Sequence, residues 1–199
     1  MKKLMKWFGI VGILLLAFAA CKDSGGEKQK TPDQQAARQT TETNDVSVTP
    51  KKGLGMTPTQ FMDAFNAFAQ SVKLDMLSIP AITLSTGEVN NTFTHEFAKN
   101  LVITGTVRKS DNKILSLVMV ASPKTHDETT ALFFIYGIIM GTINPELSKE
   151  ERGSLVIEMF NKVSPDHDAH YEAVRGPVQY NFSASKVVGV WLVVKNVND

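Results

Sequence analysis

The densest group of side chains able to do chemistry is Asp166-His167-Asp168-Ala169-His170, which places two imidazoles and two carboxylates within five residues. Imidazole nitrogens and carboxylate oxygens are ligand types that Zn²⁺ and other divalent ions accept, so Asp166, His167, Asp168 and His170 form a candidate metal site. A metal-assisted hydrolase centred on His167 and His170 is the enzymatic reading of this chain. The spacing departs from the HExxH helix, in which two histidines one turn apart face the ion. It also departs from zinc-finger spacing and from the Ca²⁺ loop with its glycine and terminal glutamate. A polar turn between a helix and a strand collects the same residue types, because short polar side chains bond the turn backbone. That turn is the expectation, so no cofactor is assigned.

Other constellations are weaker. The chain has no G-x-S-x-G elbow and no P-loop, and Gly53-Leu54-Gly55 does not stand between a strand and a helix as a dinucleotide fingerprint must. Glu88, Glu96, Asp127, Glu128 and Glu172 show no sequence pairing that marks a glycosidase dyad, since carboxylate separation is a three-dimensional quantity. His95 alternates with Phe93 and Phe97, which predicts a core or rim histidine rather than a proton carrier. No catalytic residue is assigned, and the expectation is a protein that is not an enzyme.

Cys21 is the one cysteine among 199 residues, so it forms no internal disulfide. Before it stand Lys2, Lys3 and Lys6, then an uncharged apolar run of about 14 residues, 7–20, ending in small side chains. That is the pattern of a secretory signal, and it is short of the roughly 20 residues a spanning helix needs. Phe18-Ala19-Ala20-Cys21 resembles the lipobox of bacterial lipoproteins, with Phe18 where an aliphatic residue is usual. The resemblance covers residues 1–21 only. It implies cleavage of residues 1–20 as a lipoprotein signal peptide and acylation of Cys21 by chains such as palmitate, which makes the lipid bilayer a partner. Lys22 stands where an aspartate commonly retains enteric-type lipoproteins in the inner membrane, so the resemblance implies the outer membrane, facing the periplasm.

Charge narrows the partners. The chain has 21 basic and 20 acidic residues, and removing three lysines with the signal leaves 18 against 20, a net of −2. Neither a nucleic-acid footprint nor a polybasic membrane patch survives that balance. Residues 22–55 are rich in Gln, Thr, Lys, Asp and Gly and carry no aromatic side chain. They read as a disordered tether, because so little apolar area cannot offset the entropy of ordering the backbone. One domain, residues 56–199, is expected to follow.

Within it the elements are set by local signals. Thr57-Pro58-Thr59-Gln60 is a helix start, followed by an inward stripe of Phe61, Ala64, Phe65, Phe68 and Val72. Residues 74–84, interrupted by Pro80, suit an edge strand or irregular chain. Strands are expected over 92–97, 101–107 and 114–121, the last two joined by a tight hairpin at Ser110-Asp111-Asn112. Thr125-His126-Asp127-Glu128 reads as a capping box opening an uncharged helix over 129–143, too short to span a membrane and so expected in the core. Gly137 and Gly141, four apart, mark a face for close packing against the sheet or for homodimer contact. Ser148-Lys149-Glu150-Glu151 opens a third helix with Leu155, Val156, Met159 and Phe160 inward. Three strands are then expected. Residues 178–185 alternate as a sheet with one wet face, and 187–197 are apolar on both faces and so central. The predicted fold is α+β, an antiparallel sheet of five to six strands with three helices mainly on one face.

These readings converge on a lipid-anchored, periplasm-facing binding protein with a protein partner in the envelope. Lipid-tethered guards that neutralise toxins (immunity lipoproteins) and exclusion lipoproteins share this size and layout, and envelope assembly is a further alternative.

Overall fold

The structure, a computed structural model, describes residues 52–163 and 169–199. It is an α+β fold with the element order α1 (Pro58–Ser71), β1 (Asn90–Ala98), β2 (Leu101–Arg108), β3 (Ile114–Ala121), α2 (His126–Ile143), α3 (Lys149–Lys162), β4 (His170–Arg175), β5 (Val178–Ser185) and β6 (Gly189–Asn196). All six strands form one antiparallel sheet in the order β1-β2-β3-β6-β5-β4. Two three-stranded meanders therefore meet back to back along the seam between β3 and β6.

Helix α1 starts where its cap dictates. The Thr57 hydroxyl accepts from the Gln60 N–H at 3.2 Å, and the Gln60 side chain accepts from the Thr57 N–H at 2.9 Å, so two orphan donors are satisfied reciprocally. Ser148 and Glu151 repeat the arrangement at α3. At α2 the box is half made: the Thr125 hydroxyl caps Glu128, but the Glu128 carboxylate reaches the Lys124 N–H instead of that of Thr125. Phe61, Phe65 and Ala69 of α1 are buried. Ala64 and Val72 of the expected stripe are exposed, Ala64 because it lies to one side of the stripe axis and Val72 because it is already the C-cap. The middle of α2 is core, as its lack of charge predicted, and no described helix is long and apolar enough to cross a membrane.

Residues 74–84 contain a short 3-10 turn, Asp75–Leu77, and then extended chain. Asn66 holds that chain by a two-way contact with Ile79, accepting from its N–H at 2.7 Å and donating to its carbonyl at 2.8 Å. The β2–β3 connection turns at Asn112, whose φ of 57° is in the left-handed region that asparagine tolerates. Arg108 closes the turn through a bidentate contact with Asp111 at 2.6 and 2.9 Å, which holds the Asp111 carboxyl down to about 2.

Residues 52–55 are part of the packed domain. Leu54 N–H donates to the Ile114 carbonyl at 2.7 Å, and Ile114 N–H to that of Met56 at 2.9 Å. The Asp199 carboxylate accepts from the N–H groups of Lys52 and Gly53, while Asn196 donates to the Gly53 carbonyl at 3.1 Å. Residues 52–55, assigned above to the tether, are thus stitched to the ends of β3 and β6. Gly53 makes this fit, with φ at 66° and the Ile114 carbonyl where a side chain would stand.

The sheet's two faces differ. One carries Phe93, Ile103, Met119, Leu192, Tyr180 and their neighbours into a single core beneath the three helices. On it Gly105 leaves room for the Phe93 ring, which lies 2.1 Å from where a Cβ would be. No helix or strand among the described residues covers the other face. Pairing register lays its side chains in rows across all six strands: Glu96, Val102, Val120, Trp191, Ser183 and His170 in one, and Thr94, Thr104, Val118, Val193, Asn181 and Glu172 in the next. Strand β6 is central, as its two apolar faces predicted, but only one of those faces is buried. It also starts at Gly189, leaving Val187 and Val188 exposed in the β5–β6 turn.

Candidate functional site

Of the four metal-ligand candidates, His170 is described and Asp166, His167 and Asp168 lie outside the described residues. His170 opens β4 on the uncovered face, where its Nδ1 is 2.9 Å from the Ser183 hydroxyl, its register partner on β5. That distance is one a serine nucleophile and its base would show. Catalysis also needs an acid to orient the ring and donors to receive an oxyanion. Among the described residues neither stands against the pair, which lies on an exposed sheet edge rather than in a cleft. No three His, Cys, Asp or Glu side chains among the described residues converge as a metal site. Cys21 also lies outside the described residues.

His95 is a half-buried rim residue, as its alternation predicted. Its ring meets the edge of Phe97 at 4.6 Å, and burial lowers its pKa because the apolar surroundings disfavour the imidazolium. Tyr136 and Tyr180 are buried in the core, and their hydroxyls have no hydrogen-bond partner among the described residues. Burial raises both phenols, Tyr180 to about 12; Asn144 lies near the Tyr180 hydroxyl but outside hydrogen-bond geometry.

A concave feature among the described residues lies on the outside of the helical layer. A groove of about 660 Å³ runs between the C-terminal end of α1, the middle of α2 and the first half of α3. That volume is within the range of ligand-binding clefts. Two glycines open it: Gly137 on α2 and Gly153 on α3 both line it, and a Cβ on either would meet nothing within 4 Å. Gly141, one turn further along α2, behaves differently. The Phe68 ring of α1 lies 2.5 Å from where its Cβ would be, so this glycine serves the close packing of helix on helix rather than helix on sheet or a contact between copies.

The floor and walls are apolar, with Phe133, Ile138 and Val156 below and Phe134 and Ile157 at the lip, 47% and 57% exposed. Two cations stand at the rim. The Arg152 guanidinium lies 4.9 Å above the Phe68 ring and donates to the Leu147 carbonyl, which fixes it in place. Lys149, at the first turn of α3, makes no hydrogen bond or ion pair among the described residues. An apolar trough with fixed positive charge at one end takes an apolar body carrying an acidic group. Residue patterning marked Gly137 as a close-packing position, whereas a Cβ there meets nothing within 4 Å; the groove stayed hidden because Gly137 and Gly153 lie on different helices and only their packing makes it. No family model, curated protein or solved structure matches the chain.

Proposed function

We propose that this chain is a lipid-anchored binding protein without catalytic activity, held at a bacterial outer membrane by acylated Cys21 and facing the periplasm. Its helical-layer groove receives an apolar segment of a protein partner flanked by acidic residues. The observation that carries the binding reading is the groove itself: two exposed aromatic and aliphatic side chains, Phe134 and Ile157, stand beside Lys149 and Arg152. Apolar anchors with a charged rim are what protein interfaces use for affinity and orientation. The lipobox-like Phe18-Ala19-Ala20-Cys21 supports the membrane address. Toxin neutralisation, surface exclusion and envelope assembly are all tasks such a domain performs by capture.

Two variants test the two halves of the proposal. Cys21→Ala should move the protein out of the membrane fraction, and continued sedimentation with membranes would overturn the lipid anchor. Replacing Gly137 and Gly153 together by leucine fills the groove from positions where the added Cβ meets nothing within 4 Å. Capture of the envelope partner bound by the parent should fall at least tenfold while the melting temperature holds or rises. Undiminished capture would place the binding surface elsewhere.

A further inference from the structure

We propose that the uncovered face of the sheet is a homodimer interface, two copies packing face to face about a two-fold axis that runs parallel to the strands over the β3–β6 seam. The starting observation is the apolar centre of that face. Val102, Val118, Val120, Trp191 and Val193 occupy adjoining positions on β2, β3 and β6, with Val120 37% exposed. An isolated exposed valine is ordinary, whereas a contiguous apolar patch marks an interaction surface; this one is framed by Thr104, Ser183 and Asn181, with Lys195 following Val193 on that face of β6.

The occupant is identified by how the face matches itself. A two-fold axis along the seam keeps each row in place and exchanges its ends, so β1 lies over the partner's β4, β2 over its β5 and β3 over its β6. Along the first row Val120 meets the partner's Trp191, and Glu96, exposed on β1, meets the partner's His170. Along the second, Val118 meets the partner's Val193 and Thr104 meets the partner's Asn181. Apolar groups thus face apolar groups at the centre, and an acid faces an imidazole at each edge. The alternative two-fold, across the strands, would bring Trp191 against the partner's Lys195 and leave Glu96 opposite a threonine. Aligned sheets pack with a rotation of about 30°, which preserves the seam contacts and leaves the edge pairs to meet by side-chain reach.

Size is sufficient. Strands of eight residues at about 3.4 Å each, with six strands about 4.8 Å apart, present a face of roughly 27 by 24 Å. Two such faces bury on the order of 1,300 Å², within the range of specific interfaces.

The test places Glu96→Cys and His170→Cys together in a full-length Cys21→Ala chain and adds a short bismaleimide. Within one chain these positions are five strand spacings apart, roughly 24 Å, beyond the reach of the reagent. The double variant should therefore run mainly as a covalent dimer and each single variant as a monomer. Adding Val120→Asp, at an exposed position, should lower the yield at least tenfold. If its melt shows loss of folding, Val118→Asp takes its place. Equal cross-linking by a single variant, an unaffected yield with the aspartate, or no dimer in the double variant would each overturn the proposal. None of these outcomes depends on the groove or on the lipid anchor.

Discussion

Tyr136 carries into the core a polar atom that no described residue receives. Its ring packs edge-on against Phe182 at 5.7 Å, and its hydroxyl lacks a partner among the described residues. A buried hydroxyl that leaves water without a new hydrogen bond costs about 1 to 3 kcal/mol, whereas the ring's packing is retained by phenylalanine. Tyr136→Phe should therefore raise the thermal melting point. A fall of several degrees would reveal a partner for that hydroxyl. His95 poses a charge problem instead. Burial holds its pKa below 6.5, so above that pH the ring is neutral in both states and adds no pH dependence. As pH falls through 6.5 the unfolded chain takes up the proton first, and the fold loses stability until the pH reaches the lowered folded value. The parent's melting point should drop more steeply between pH 7 and pH 5 than that of His95→Gln, and parallel profiles would show that the ring is hydrated.

At the scale of elements, the two glycines of α2 give opposite predictions from one residue type. Gly137→Ala adds a side chain to open space and removes glycine's cost in a helix interior, so it should stabilise by up to about 1 kcal/mol. Gly141→Ala drives a methyl into the Phe68 ring and should destabilise by about 1 to 3 kcal/mol unless α1 shifts. Chemical denaturation of both variants tests the pair, and equal effects would contradict the packing of α1 on α2. The elements themselves were largely legible in the sequence, since caps such as Thr57 with Gln60 and alternation such as that of Val178, Tyr180, Phe182 and Ala184 depend on near neighbours. The half-made box at Thr125 was not, because Glu128 had a competing N–H at Lys124. Nor were the seam and the groove. Pairing of β3 with β6 joins residues about 75 apart, and no local spacing records which strands will meet.

At the scale of the whole domain, the N-terminal boundary decides stability. Removing residues 52–56 would take away the two backbone bonds that join Ile114 to Leu54 and Met56 and leave the Asn196 amide buried without its carbonyl. A chain beginning at Lys52 should melt higher than one beginning at Thr57, and equal melting points would show that those contacts add nothing. The tether composition hid this boundary, because Lys, Gly and Leu there look alike whether solvated or pinned. The candidate chemistry was legible only as a list of residue types. His170 proved to be a cross-strand neighbour of Ser183, and the helical-layer groove exists only where residues of three helices pack together.

The clasp between Gly53 and Asp199 also makes the domain close to a ring. With residues 52 and 199 in hydrogen-bond contact, a few added residues would join them without strain, and the cut could move to the opposite end of the sheet, at Val187 in the exposed β5–β6 turn. Such a circular permutant would keep all six strands and the clasp, now as an internal loop. Its attachment point would leave the Ile114 and Asn196 end of the sheet and pass to the Val187 end, turning the whole domain over relative to whatever holds it. Orientation at a surface is then an adjustable property of this fold, separable from the fold itself.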